Sequence, residues 1–136
     1  HTNLKLHGIV TLDEIHQIER NADILVNPRP NEKSFTKYSF PSKTAEYLMM
    51  NVPVVMHKLD GVPDVYDPYL YYIEDNTPQS IAETICQVLS VDSVKRSVLA
   101  QKGREFVVQN KNHDQQARRV IEFIDSIISE GSFCKV

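Results

Sequence analysis

The chain has 136 residues, of which 41% are hydrophobic and 24% charged. This length and composition suit a single domain with a hydrophobic core and exclude a disordered or fibrous protein. The net charge is −3 and the two signs are interspersed, so the chain lacks the electrostatic footprint of a nucleic-acid-binding protein. Its two cysteines form no CxxC pair, which argues against a disulfide scaffold or structural zinc site and favours a reducing compartment.

The glycines exclude two classes of nucleotide-binding enzyme. Gly8, Gly61, Gly103 and Gly131 are too far apart for a dinucleotide-binding G-x-G-x-x-G motif or for a Walker A loop.

No apolar run is long enough to cross a bilayer. The chain lacks an initial Met and opens on a strand-like segment, so we expect it to be part of a longer protein.

The first third of the chain predicts a strand, a helix and a second strand. Residues 4–10 alternate in a way typical of a short strand. Thr11 and Glu14 then form a T-x-x-E capping box that begins a helix, with its apolar residues on one face and with His16 and Glu19 pointing outward. Residues 22–26 form an apolar run stopped by Asn27 and Pro28, which predicts a strand buried on both faces.

The middle of the chain predicts a polar loop over residues 28–39 and a helix that begins near Pro41, since proline is favoured in the first helical turn. A third buried strand is predicted over residues 53–56, which leaves His57 as an exposed loop histidine. The predicted core face of the helix consists of Ala45, Leu48, Met49 and Val52.

The second half of the chain predicts an apolar segment over residues 70–73 and three further helices. The first begins at Thr77-Pro78, the second is capped by Asp92, and the last ends near Gly131. Strands that alternate with helices predict one α/β domain over residues 1–136, with a parallel sheet flanked by helices. Ligands of such sheets bind beyond the carboxyl ends of the strands, here next to the helix that begins at Pro41.

The start of that helix is the best candidate for a binding site. Free N–H groups and the helix dipole favour an anion there. Ser42, Lys43 and Glu46 project away from the core face, and Ser42 and Glu46 are one turn, or about 6 Å, apart. A phosphate at the helix start would leave Glu46 placed to accept hydrogen bonds from a ribose diol. The alternative is an ordinary solvated helix face.

The central block of the chain resembles a known family. An Ala-Asp-Ile-Leu-Val-Asn-Pro strand, a polar loop, Phe-Pro-Ser-Lys-Thr-Ala-Glu-Tyr-Leu and then Asn-Val-Pro-Val-Val are similar to the carboxyl-terminal domain of GT-B glycosyltransferases of the family-four, or glycosyltransferase group 1, type. The resemblance implies a Rossmann-like domain that binds a nucleotide diphosphate sugar. It also implies that residues 40–42 hold the diphosphate and that Glu46, as the second Glu of an E-x7-E pattern, holds the ribose.

The chain departs from this family at one important position. Tyr38 stands where E-x7-E has its first Glu, the residue that usually faces the sugar, so the catalytic residue is unassigned. Tyr38 and Glu32 remain candidates for the sugar-facing role. The nucleotide-sugar-binding residues expected from the pattern and the resemblance together are Tyr38, Phe40, Ser42, Lys43 and Glu46.

The resemblance also implies a reaction and partners. The expected reaction transfers a sugar from the nucleotide sugar to a glycan or lipid-linked acceptor in bacterial surface polysaccharide synthesis, without a cofactor or a bound metal. The acceptor would be held by an amino-terminal domain outside this chain, so the fragment alone is expected to be inactive. The expected location is the cytoplasm, with peripheral association at the inner face of the membrane. The alternatives are a nucleotide-sugar epimerase of GT-B fold and a non-catalytic α/β nucleotide-binding module.

Overall fold

Helices and strands alternate through residues 3–31 and 40–129, which are the residues that the computed structural model describes. The described residues form three short parallel strands and five α-helices. In chain order the elements are helix α1 (Leu12–Arg20), strand β1 (Leu25–Asn27), helix α2 (Ser42–Met49), strand β2 (Val54–His57), a 3-10 helix (Asp64–Tyr69), strand β3 (Tyr71–Ile73), and helices α3 (Pro78–Ser90), α4 (Ser93–Asn110) and α5 (His113–Ser129).

The sheet has the strand order β1-β2-β3, and both pairings are parallel. Leu25 lies opposite Val54 in the first pair, and His57 lies opposite Ile73 in the second. All three strands therefore end at the same edge of the sheet, as predicted for an α/β domain. This edge is where a parallel sheet binds its ligands.

Helices cover both faces of the central strand. Val54 and Met56 pack with Leu48 of α2 and Val107 of α4 on one face. Val55 points to the other face and packs with residues of α3, because successive strand residues alternate in direction. Since burying a side chain of this size contributes about 1.5–3 kcal/mol, the buried β2 residues anchor the domain.

The segment predicted as the first strand is not one. Residues 3–10 have no regular secondary structure, and Leu4, Leu6 and Ile9 are exposed. A strand needs a neighbour to pair its N–H and C=O groups, and no strand in the described part of the chain pairs with this segment. The alternation of apolar residues was therefore insufficient to form a strand here.

Helix α5 follows the predicted helical period, but its apolar side chains do not enter a core. Most of them are more than half exposed, in a helix that is also rich in charged residues. The predicted stop at Gly131 lies outside the described residues. The exposed apolar residues of α5 are Val120, Ile121, Phe123, Ile124 and Ile128.

Candidate functional site

The start of α2 differs from the starts of the other described α-helices. Its N-cap is Pro41, which makes no side-chain capping bond. Side chains cap the others: Thr11 for α1, Thr77 for α3, Asp92 for α4 and Asn112 for α5. The N-cap residue of α2 therefore supplies no side-chain acceptor to the first-turn N–H groups, in contrast to the N-cap residues of these four helices.

Two of the predicted site residues, Phe40 and Ser42, lie at this helix start. Ser42 is its first residue and is exposed. Phe40 precedes it, is 41% exposed, and lies with its ring centroid 5.3 Å from that of Tyr66. Tyr38 lies outside the described residues. The aromatic pair thus holds the chain just before α2 against the 3-10 helix.

The side chain of Lys43 turns from the helix start towards two carboxylates. Its ammonium lies 2.6 Å from Oε1 of Glu46, one turn along α2, and 3.5 Å from Oε1 of Glu19 on α1. The hydrogen bond to Glu46 raises the pKa of Lys43, and partial burial opposes this shift. Glu19 and Glu46 therefore share one charged ammonium. We call these three residues, Glu19, Lys43 and Glu46, the Lys43 cluster.

The aromatic neighbour of the cluster is Tyr47. The Lys43 ammonium lies 5.5 Å from the centroid of its ring, within cation–π range. Burial raises the pKa of Tyr47, while the charge of Lys43 lowers it. Tyr47 is therefore a neutral phenol that packs beneath the charged group.

Glu46 also lines a cleft between α1, α2 and α4, with a volume of about 770 Å³. Two guanidinium groups, Arg20 of α1 and Arg104 of α4, line the same cleft. Ser42, Lys43 and Phe40 do not line it. The structure thus brings Glu46 and Lys43 together, but leaves Ser42 and Phe40 at the helix start above the cleft.

Sequence analysis missed the role of α1 in this site. Glu19, expected to point outward, is only 5% exposed, and His16 is partly buried and lines the cleft. At 3.6 residues per turn, Glu19 lies about 40° around the helix from Ile15, well within the apolar stripe. That position was the available signal that Glu19 faces inward.

The donors of His16, Glu19 and Glu46 meet one geometric condition for a metal site. One nitrogen and two oxygens from these residues lie within 4.8 Å of one another. Such a mixed set suits Zn²⁺ or Mn²⁺. However, the ammonium of Lys43 is already bonded to both carboxylates, so a metal ion would have to displace a fixed positive charge.

A second, smaller cavity of about 260 Å³ lies at the carboxyl ends of β2 and β3. His57 and Asp75 line it. The prediction of an exposed loop histidine is wrong: His57 is the last residue of β2 and is 5% exposed. Its Nε2 is buried and has no hydrogen-bond partner among the described residues.

Lys58 follows His57, and hydrogen bonds around its side chain link the 3-10 helix to β3. It donates to Asp64 and Asp67, and the hydroxyl of Tyr72 also donates to Asp67 at 2.6 Å. These bonds lower the pKa of Asp67. This network stabilises the structure next to the strand ends. None of these hydrogen bonds includes a residue of the Lys43 cluster.

Comparison with protein families gives one match. The family model described as "Glycosyl transferases group 1" matches residues 1–91. The chain belongs to this family. Searches of curated proteins and of solved structures gave no significant match.

The matched region contains the whole sheet, the start of α2 and all three members of the Lys43 cluster. It ends at Val91, so α4 with Arg104 and the exposed α5 lie beyond it. The family supports a glycosyl transfer function, and the three-stranded parallel sheet with helices on both faces agrees with a Rossmann-like glycosyltransferase domain. No helix among the described residues is long and apolar enough to span a membrane.

Proposed function

We propose that this chain binds a nucleotide diphosphate sugar as the donor for glycosyl transfer, with the diphosphate at the start of α2 and the ribose at Glu46. Membership of the glycosyltransferase group 1 family supports the reaction class. The observation that carries the site is the placement of Lys43 and Glu46 within about one turn of a helix start whose N-cap residue makes no side-chain capping bond.

The start of α2 supplies what a diphosphate needs. Backbone N–H groups at a helix amino terminus bind phosphate oxygens, and the helix dipole adds positive potential there. Lys43 lies in the same turn and carries a positive charge at neutral pH, and its bond to Glu46 raises its pKa further. When the glycosidic bond to the sugar breaks, negative charge grows on the leaving diphosphate, and these fixed groups stabilise it electrostatically.

Glu46 supplies acceptors for a diol. A carboxylate has about four lone-pair sites, so it can accept from Lys43 and still accept two hydroxyl groups. The 27% exposure of its side chain leaves part of the carboxylate open to a ligand in the cleft. The rise of about 6 Å from Ser42 to Glu46 matches the separation of a diphosphate from a ribose diol in a nucleotide.

The finer statements rest on the family resemblance alone. They are that the acceptor is a glycan or lipid-linked molecule bound by a further domain, that the full-length protein makes bacterial surface polysaccharide in the cytoplasm at the inner face of the membrane, and that it needs no cofactor or metal. A nucleotide-sugar epimerase would use the same donor site without an acceptor. A non-catalytic module would bind the nucleotide and leave the sugar attached.

The direct test is a titration of the chain with a panel of nucleoside diphosphates and the matching nucleosides by calorimetry. We expect one diphosphate to bind at least about tenfold more tightly than its nucleoside, a difference of about 1.4 kcal/mol. Equal affinity for nucleoside and diphosphate across the panel would contradict a diphosphate site at α2. Product analysis with the matching nucleotide sugar and full-length protein then separates transfer to an acceptor from epimerisation and from binding alone.

A further inference from the structure

Glu19 is the most deeply buried acidic side chain of the Lys43 cluster and the one with the weakest bonding. Its side chain is 6% exposed, against 27% for Glu46. Its Oε1 lies 3.5 Å from the Lys43 ammonium, and its Oε2 has no hydrogen-bond partner among residues 3–31 and 40–129. Burying a carboxylate with so few partners is costly, so its position at this point of α1 calls for a reason other than stability.

The position of Glu19 is explained by its effect on the side chain of Lys43. Lys43 is in the first turn of α2, where the positive end of the helix dipole repels a cation. Its side chain is 46% exposed and long, so it has many solvated conformations. Glu19 approaches from the neighbouring helix and draws the ammonium back over Glu46, where the 2.6 Å bond forms.

We propose that Glu19 is a positioning residue: it fixes Lys43, and through Lys43 it fixes the carboxylate of Glu46 in the orientation that accepts the ribose diol. This inference rests on the proposed function, because it assigns Glu19 a role in the same nucleotide site. Glu19 itself is too buried to contact the nucleotide and acts through Lys43.

Two consequences follow from the geometry. An ammonium has three N–H donors, so one remains for a phosphate oxygen after the bonds to Glu19 and Glu46. A carboxylate held in one conformation also loses less entropy when a diol binds, so the site is organised before the ligand arrives. Removing the charge of Glu19 therefore weakens recognition of the diol although Glu46 is intact.

The test is a double-mutant cycle with Glu19→Gln, Lys43→Met and the combined variant. The measured quantity is the ratio of Kd for the 2′,3′-dideoxy analogue to Kd for the natural nucleoside diphosphate that binds most tightly in the panel. Glu19→Gln should lower this ratio about three- to tenfold when Lys43 is present and leave it unchanged in the Lys43→Met background. Glu83→Gln is the matched control, since Glu83 is an exposed glutamate of α3 that does not line the cleft.

An equal effect of Glu19→Gln in both backgrounds would show that Glu19 acts on the fold in general and would overturn the proposal. The proposal would also be overturned if Glu19→Gln left the ratio unchanged while Glu46→Gln lowered it to about one. That result would leave the proposed function standing. An unchanged ratio in Glu46→Gln contradicts the ribose role and both proposals. If Glu19→Gln does not fold, Glu19→Met keeps the side-chain volume and removes the unpaired polar atoms, and the same outcomes apply.

Discussion

The ammonium of Lys43 lies 2.6 Å from the carboxylate of Glu46, three residues further along the same helix. Exposed pairs at this spacing contribute only about 0.2–0.5 kcal/mol to stability. Because both residues are partly exposed, the pair matters little for folding. Its importance lies in placing a positive charge and a hydrogen-bond acceptor side by side at the start of α2, and this arrangement should be visible in binding experiments.

Lys43→Met should narrow the difference in affinity between a nucleoside diphosphate and its nucleoside by about three- to tenfold. The variant removes one positive charge from the proposed diphosphate site and keeps the helix N–H groups. Higher salt should narrow the same difference in the wild-type chain, since exposed charges are screened, and should have less effect in the variant. Lys102→Met, an exposed change on α4, is the control. A salt dependence that is identical in wild type and Lys43→Met would contradict a role for Lys43.

Gly103→Ala should destabilise the chain by about 1–2 kcal/mol, although alanine is the better helix former by about 1 kcal/mol. Gly103 lies in α4, and a Cβ there would come within 2.8 Å of Leu48 Cδ2 and 3.2 Å of Tyr69 Cβ. Leu48 is 1% exposed and belongs to α2, so its packed side chain or the helix itself would have to shift. Urea denaturation measures the change, with Ser97→Ala on the exposed side of α4 as the control. A stabilised Gly103→Ala chain would show that α2 and α4 are not in close contact.

Asp67→Asn should reduce the loss of stability that the chain suffers in acid. The hydrogen bonds from Lys58 and then from Tyr72 lower the pKa of Asp67 below its ordinary value of 3.8. A carboxyl with a lowered pKa stabilises the fold above its unfolded pKa, and this contribution disappears as the pH falls through the folded value. Thermal unfolding from neutral pH to about pH 2 should therefore show a smaller decrease of Tm in Asp67→Asn. The effect is small, because Asp67 is partly exposed, and it should be absent in Asp125→Asn on α5.

Mn²⁺ and Zn²⁺ should bind the wild-type chain only weakly, and a chelator should leave nucleotide affinity unchanged. The donors of His16, Glu19 and Glu46 are close enough for a metal ion, but the Lys43 ammonium already neutralises the two carboxylates. Lys43→Met removes this competitor and should increase metal affinity about tenfold or more. Calorimetry provides the measurement. Micromolar binding of either ion by the wild-type chain, or loss of nucleotide binding with a chelator, would contradict this account.

The order of helices and strands could be predicted from the sequence because its signals are local. The capping box at Thr11, the Thr77-Pro78 helix start and the apolar run before His57 all specify structure within a few residues, and each element begins within one residue of its predicted position. The segment over residues 3–10 shows the limit of this approach. A strand depends on a distant neighbour, which periodicity alone does not reveal.

The site could be predicted only in part, for a related reason. The positions of Ser42, Lys43 and Glu46 relative to one another follow from helix geometry, whereas the contact between Glu19 and Lys43 depends on how α1 packs beside α2. Glu19 was assigned to the surface because of its charge, although its helical position places it on the apolar stripe. The prediction that His57 is exposed was wrong because the strand continues one residue beyond the apolar run. The side chain of His57 is therefore buried.

Recognition of a ribose diol by Glu46 is the central claim. A charged hydrogen bond contributes about 1.5–3 kcal/mol, so Glu46→Gln should weaken binding of the nucleoside diphosphate about ten- to hundredfold. The Tm should be nearly unchanged, because the bond that Glu46 makes to Lys43 is exposed. Glu83→Gln on α3, outside the cleft, should leave both quantities unchanged.

The most direct measurement compares the natural nucleoside diphosphate with its 2′,3′-dideoxy analogue on wild type and Glu46→Gln. The wild-type chain should prefer the natural ribose, and the variant should lose most of this preference while it still prefers diphosphates to nucleosides. If wild type and variant discriminate equally between the two ligands, Glu46 is a solvated helix residue and the ribose is not bound there.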